Sequence, residues 1–342
     1  MRKPGATRRW VVVDTDTGLD DAHALLYLLA QPDVEIIGIT AVYGNTWVDQ
    51  AARNAAIVLD VAGRTNVPIF VGAAGPLQGE ATIDTSWHGV DGLGDRGLPG
   101  PSPETQPEIA AEYLVRIANE NPGRVDLLAI GPLTNLAAAV DADHHLLKKF
   151  RSVVIMGGGG PYPAPGGLTL TDSNSNHDRT AAQRVYTTPN VGNVVMVGVN
   201  VTLQALLDET AHARLRRQSG RWAGFAETIL DASDETYQHI WGRRVSAAHD
   251  GLAAVLLHRP ELVTRWVDGP ATFVATAGSF AVQVARTYDG KALTFDTPKG
   301  PTIRAAVDFN QAEFRRLFLD ALLYGPRRGD DGKHDPTATG RR

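Results

Sequence analysis

The sequence predicts an α/β fold: an open, mostly parallel central sheet flanked by helices, a Rossmann-like core, with extra helices and short strands in the C-terminal third. Three observations carry this reading. Short, β-branched apolar runs alternate with segments of helical period, as parallel strands joined by crossover helices do. The runs are almost wholly apolar rather than alternating, as expected of strands covered on both faces. And a chain of 342 residues, 43% of them hydrophobic, can bury a sizeable core.

Taken in order, the strand candidates are "WVVVD" (10–14), "VEIIGITAV" (34–42), "VPIFVG" (67–72), "VDLLAIG" (125–131), "SVVIMGG" (152–158) and "NVVMVGV" (193–199). Helices are expected at about 20–31, 47–62, 107–121, 133–141 and 178–187. In the second of these, Ala51, Ala55, Val58 and Leu59 fall on one face. Residues 72–107 form a long Gly/Pro-rich connection, a length usually kept for function. Residues 204–258 read as mostly helical, 263–308 as further strands and turns, and 310–323 as a last helix. The expected organisation is a flexible N-terminus (1–9), a single domain (10–324) and a polar, Gly-rich disordered tail (325–342).

Composition narrows the function. With 33 Lys and Arg against 38 Asp and Glu, the net charge is −5, which argues against a nucleic-acid partner. The absence of cysteine excludes disulfides and thiolate metal sites and fits a reducing compartment. No apolar run reaches the ~18 residues of a spanning helix, so no membrane partner is expected. "MRKPGATRRW" is basic but leads into a short strand rather than a signal-like apolar segment. The expected location is cytoplasmic.

"VVVDTDTGLDDAHALL" (11–26) puts Asp14, Asp16, Asp20 and Asp21 at the carboxyl end of the first strand, where ligands of open α/β sheets bind. Three readings are open. Asp20 or Asp21 can cap the following helix, but capping does not account for four acids. "DTDTG" also satisfies the Asp-x-Asp-x-Thr motif of haloacid-dehalogenase-type phosphatases, with Asp14 as nucleophile and Asp16 as acid/base. Or the acids hold a hard divalent cation, whose charge removes their mutual repulsion and which takes only oxygen ligands. Such a cation needs further oxygens, and suitable groups recur at other strand ends. These are Gly44 and Asn45, the carbonyl just before Gly131-Pro132, the glycine run 157–160, and His249 with Asp250 at the front of a helix. The phosphatase reading wants a Lys and an acidic pair at later strand ends, and no convincing candidate stands there.

With these residues in view, the sequence resembles the inosine-uridine-preferring nucleoside hydrolase family. "DTDTGLDDAHAL" matches every fixed position of the family's Asp-x-Asp-x-Gly-x-Asp-Asp-Ala-x-Ala-Leu signature. "YGN" (43–45), "HGVDGLG" (88–94), "GPLTNLAAA" (131–139), "VVIMGGG" (153–159), "MVGVNVT" (196–202) and "HDGLAAV" (249–255) follow in the family's order. The resemblance implies hydrolysis of the N-glycosidic bond of ribonucleosides to ribose and free base, with a Ca²⁺ ion that binds the nucleophilic water and chelates ribose hydroxyls. It implies Asp16, Asp21, Asp250 and the carbonyl of Ile130 as metal ligands, and Asp16 as general base. It further implies Asp20, Asn45 and Asn174, with the main chain around Met156, as groups binding the ribose hydroxyls or the water. His249 is implied as the acid for the departing base. His88 either lines the site or bonds its own loop. The resemblance also implies a homodimer or homotetramer.

The loop after the fifth strand departs from the family pattern. Asp172-Ser173-Asn174 stands where the family has Glu-aromatic-Asn, and a preceding Gly-Asn pair is missing. Asp172 is thus expected on the 5′ side of the ribose, reaching about one methylene less far than Glu. Thr17 replaces the usual Pro, and Leu203 the polar residue often found after "VT". This leaves a third reading, a ribose- or nucleoside-binding protein with little turnover. Trp222 and Trp241 read as helix-packing residues or as walls of the base pocket. "RLRRQSGRWAG" (214–224) reads as a solvated face.

Overall fold

A computed structural model of the chain describes residues 8–161, 168–276, 279–285, 287–288, 291–292 and 300–326. The strands are β1 (Arg9–Thr15), β2 (Val34–Ala41), β3 (Ile69–Val71), β4 (Thr105–Gln106), β5 (Val125–Ala129), β6 (Ser152–Met156), β7 (Gly160–Pro161), β8 (Val194–Val197), β9 (Leu206–Asp208), β10 (Val245–Ala247), β11 (Val263–Thr276), β12 (Ser279–Val284), β13 (Thr287–Tyr288), β14 (Lys291–Ala292) and β15 (Thr302–Phe309). The helices are α1 (Leu19–Ala30), α2 (Val48–Val61), α3 (Thr85–His88), α4 (Ala110–Glu120), α5 (Thr134–Ala142), α6 (Leu146–Lys149), α7 (Ser173–His177), α8 (Arg179–Thr187), α9 (Val199–Thr202), α10 (Glu209–Arg216), α11 (Arg221–Trp241), α12 (His249–His258) and α13 (Gln311–Tyr324).

Eleven strands form one sheet in the order β4-β3-β2-β1-β5-β6-β8-β15-β11-β12-β7, and the first eight run parallel. Chain order reverses direction at β1, which has β2 on one side and β5 on the other. That junction is the switch point where α/β sheets leave a crevice at their carboxyl edge.

Alternation along β1 sends Val11 and Val13 to one face and Val12 to the other, and each joins a separate core. The first core packs α1, α2, α11, α12 and α13 around Leu25, Tyr27 and Phe318. The second packs α4, α5, α6 and α8 around Leu114, Leu136 and Tyr186. Helix α1 is buried on nearly all sides, leaving only Asp20 partly exposed, because α11, α12 and α13 all pack on it. The expected face of α2 is the buried one: Ala51, Ala55, Val58 and Leu59 are at most 1% exposed.

Several elements differ from the expectation. β1 begins at Arg9, whose guanidinium pairs with the buried Asp126. The long connection holds a single helical turn, α3, and the two-residue β4. The region 204–258 is helical except for the antiparallel ribbon of β9 and β10. The one-turn helices α6, α7 and α9 had no periodicity to announce them. Residues 1–7, 162–167 and 327–342, which include most of the expected flexible terminus and tail, lie outside the described residues. No helix among the described residues is long and apolar enough to cross a membrane.

Candidate active site

The carboxyl edge at the β1/β5 switch gathers the predicted residues. Asp16 follows β1 and is fully buried. Its Oδ2 accepts the Asn45 backbone N–H at 2.7 Å, while its buried Oδ1 has no partner. Two glycines hold this carboxylate: a Cβ on Gly44 (φ +152°) would lie 2.1 Å from Oδ2, and one on Gly131 would lie 3.0 Å from Oδ1. Neither position tolerates a side chain without displacing Asp16.

Asp21 stands in the first turn of α1. Its Oδ2 accepts the Gly18 N–H and the Asn45 side-chain amide, both at 2.9 Å, and its Oδ1 accepts the Thr15 hydroxyl at 2.5 Å. The capping reading is therefore correct for Asp21, without excluding another role. The first turn of α12 brings Asp250 opposite, so that oxygens of Asp20, Asp21 and Asp250 lie within 4.8 Å of one another. The N-termini of α1 and α12 both point here, and their dipoles favour negative charge.

That help is insufficient. Burial, and after it Asp21, raises the Asp16 pKa well above the usual carboxylate range. Burial and then Asp20 raise Asp21. Burial followed by Asp20, Asp21 and Asp16 raises Asp250. No Lys or Arg lines the adjoining cavity among the described residues. Buried carboxylates without a counter-charge, one with an orphaned oxygen, are the donor set of a hard cation. The residues present fit such an ion.

The cavity has a volume of about 320 Å³. Asp20, Asn45, Ile130, Met156, Asn174 and Asp250 line it along the carboxyl edge of the sheet, from strand ends and from the first turns of α1, α7 and α12. The Asn174 amide donates to the carbonyls of Ile130 (2.9 Å) and Met156 (3.1 Å), tying the ends of β5 and β6 together beside the switch. A carbonyl has two lone pairs, so Ile130 keeps one free. Asp172 lines the cavity, but it also caps α7: its oxygens accept the N–H groups of Ser175 (2.8 Å) and Gly158 (2.7 Å). The shorter acid is thus committed to backbone. Burial raises its pKa.

The opposite wall comes from α3 and α11. His249 is wedged between Thr202, whose hydroxyl lies 2.6 Å from Nδ1, and Tyr237, whose hydroxyl lies 3.1 Å from Nε2. Burial lowers the His249 pKa. His88 lines the cavity, and its side chain bonds not its own loop but α1, where Nδ1 accepts the Leu19 N–H (3.2 Å). Trp87, Tyr237 and Trp241 form an edge-to-face series with ring separations of 5.4 and 4.7 Å. Trp241 is 44% exposed and lines the cavity, whereas Trp222 donates to the Ala321 carbonyl and packs on α13. Of the two tryptophans weighed from sequence, only Trp241 is at the site. Trp87, Thr202 and Tyr237 were missed. Only their spacing to His88 and His249 could have flagged them, and aromatic residues on helices read as core.

Asp14 is not in the cavity. It is fully buried, with Oδ1 accepting from Thr40 (2.6 Å) and Asn135 (2.8 Å), and burial pushes its pKa up to about 6.

A second group of ligand-type side chains, Glu209, His212, Glu227, Asp231 and Asp234, lies between α10 and α11. Buried His212 has Asp234 at 3.0 Å on Nδ1 and Glu227 at 2.9 Å on Nε2. Arg216 reaches Glu227 at 3.3 Å, and Arg244 reaches Asp231 at 2.7 Å.

The family model described as inosine-uridine preferring nucleoside hydrolase matches residues 11–316. Uridine nucleosidase 1 of Arabidopsis thaliana is 34% identical over 260 residues, covering 74% of this chain and 75% of that one. The inosine-uridine preferring nucleoside hydrolase of Leishmania major is 29% identical over 325 residues, covering 92% and 97%. A solved plant nucleoside hydrolase superposes with a TM-score of 0.85 at 26% identity, over 92% of this chain and 99% of that one.

Proposed function

The chain belongs to the inosine-uridine preferring nucleoside hydrolase family, and from that premise and the geometry of the switch point we propose that it hydrolyses the N-glycosidic bond of ribonucleosides to ribose and free base, with Ca²⁺ as cofactor. The observation that carries the reading is the set of buried carboxylates lacking a counter-charge beside a cavity, with Asp16 Oδ1 unpartnered. Asp16, Asp21, Asp250 and the Ile130 carbonyl would hold the ion, which when bound lowers the pKa of a water and grips sugar hydroxyls.

Asp16 accepts the proton of the attacking water at Oδ1. Asp20, Asn45 and Asn174 orient the ribose from the sheet side, with the Met156 main chain beside them. As the glycosidic bond breaks, positive charge develops on the sugar, and the surrounding carboxylates stabilise it. The departing base lies toward the α3–α11 wall. His249, oriented by Thr202 and Tyr237, stands as the acid for the departing base: its protonated form gives the proton as negative charge grows there, and burial, which lowers its pKa, makes that proton more readily released. Asp172, tied to backbone amides, contributes little grip on the ribose 5′ side. The phosphatase reading lacks support, because its nucleophile, Asp14, is sealed beneath the cavity floor. A homodimeric or homotetrameric state and a cytoplasmic location complete the proposal. Light scattering on the purified chain measures the first.

The direct test is a nucleoside panel, with inosine and uridine included, read by chromatography with and without chelator. Base release that needs calcium supports the proposal. No release from any nucleoside at saturating calcium refutes the activity, and tight nucleoside binding without release points to a binding protein.

A further inference from the structure

Asp14, Thr40 and Asn135 are buried polar side chains that touch neither the cavity nor the carboxylate trio. They nonetheless link three strand ends that carry site residues, those of β1, β2 and β5. Asn135 lies in the first turn of α5, directly after the Ile130-Gly131-Pro132 turn. Its amide donates to Asp14 Oδ1 (2.8 Å) and to the Ala41 carbonyl at the end of β2 (3.0 Å), and its Oδ1 accepts the Ala73 N–H beyond β3 (2.8 Å). The fit is close, since a Cβ on Gly72 would lie 2.1 Å from Asn135 Oδ1. The Thr40 hydroxyl adds β2 to the same Asp14 oxygen (2.6 Å). The Ile130 N–H, on the peptide group next to the candidate ligand carbonyl, donates to the Asp14 carbonyl (2.8 Å).

One small network therefore fixes β1, β2, β3 and the β5–α5 turn relative to one another. Asp16 and Asn45 hang from the first two, and Ile130 from the last. We propose that Asp14, Thr40 and Asn135 are positioning residues that set the cation affinity of the site by holding the Asp16 carboxylate and the Ile130 carbonyl at a fixed separation. The inference rests on the cation reading given above. Groups that orient metal ligands from one layer out typically change affinity ten- to a hundredfold when removed, because the ligands then spend part of their time misplaced.

The test is calorimetric titration of the full chain with CaCl₂. Wild type should bind. Asn135→Ala should weaken binding by about ten- to a hundredfold, and Thr40→Val, nearly isosteric, should act in the same direction. Thr40→Ser, which keeps the hydroxyl, should restore wild-type affinity. At saturating calcium, KM for the nucleoside should stay within about twofold of wild type, since these residues do not touch it. If Asn135→Ala and Thr40→Val melt at lower temperature but bind calcium as wild type does, the network serves the fold alone and the inference is wrong. If wild type itself takes up no calcium, the cation reading fails first, and this inference with it.

Discussion

Two clusters of acids, one largely buried at the switch and one half-buried between α10 and α11, behave in opposite ways. Around His212, every inner carboxylate meets an arginine: Glu227 pairs with Arg216, and Asp231 and Asp234 with Arg244, while Asp234 and Glu227 also hydrogen-bond the imidazole. At the β1/β5 switch, Asp20, Asp21 and Asp250 meet one another, Asp16 adds its charge to theirs, and around them stand a few amides and two helix N-termini. The first cluster is neutralised by the chain's own side chains and joins α10 to α11. The second is left in deficit. The comparison shows that a carboxylate count does not mark a cation site. What marks it is the missing counter-charge beside a cavity; an orphaned oxygen alone does not, since Asp14 Oδ2 is as unpartnered as Asp16 Oδ1.

The sharpest way to break this contrast is to remove one acid from each cluster. Asp16→Asn should lower kcat by about a thousandfold or more, as loss of a general base and a ligand together does. In chelator the same variant should resist urea at least as well as wild type, because it deletes a buried charge that nothing pairs. Asp234→Ala should do the reverse. It should cost about 1–3 kcal/mol of stability in urea titration, since it leaves the buried His212 Nδ1 and Ser246 hydroxyl without their partner, and spare kcat in whatever fraction remains folded. If both substitutions destabilise alike, the two clusters do not differ in the way described.

Calcium itself gives the next largest effect. At a hundred times its Kd the ion should add about 2.7 kcal/mol to stability, seen as a rise in melting temperature. Asp21→Asn should reduce that rise, while an Asp231→Asn change in the other cluster should leave it intact. Trp241→Ala comes next, lowering kcat/KM by about tenfold, in keeping with loss of one aromatic wall against a base. Trp222→Ala should instead lower stability with kcat/KM unchanged, because Trp222 packs on α13.

The smallest effect is on pH. Carboxylates whose folded pKa is raised bind protons more tightly in the native state, so stability falls as pH rises from the unfolded value through the raised one. Asp14, at about 6, places that window from pH ~4 to about 6, and Asp16, Asp21 and Asp250, raised in the same direction, add to the same trend. Buried His23 and His249, whose pKa values burial lowers, oppose it as pH drops below about 6.5. The chelated wild type minus Asp16→Asn difference isolates the carboxylates, and it should shrink when calcium is added.

Much of this was legible in the chain. Continuous apolar runs located β1, β2, β5, β6 and β8, because strands covered on both faces leave little ambiguity, and "DTDTGLDDAHAL" located the switch. Less was legible where structure depends on distant pairing. Nothing local says that β15 lies parallel beside β8, or that β9 and β10 form a ribbon across the two helices between them. The role of Asp172 was half visible. Its place at the cavity followed from spacing, but its commitment to the Ser175 and Gly158 amides follows from a one-turn helix too short to show a period. Tyr237 and Trp87 stayed hidden because an aromatic residue facing a cavity and one facing a core look alike in sequence.

Helix α11 carries one more consequence. Asp231 and Asp234 anchor it, while Thr236, Tyr237 and Trp241, a turn or two onward, face the space where a base would lie. If the base sits there as proposed, Thr236 and Trp241 are the positions an engineer can rewrite without touching the carboxylates, whereas Tyr237 also holds His249 and has to stay.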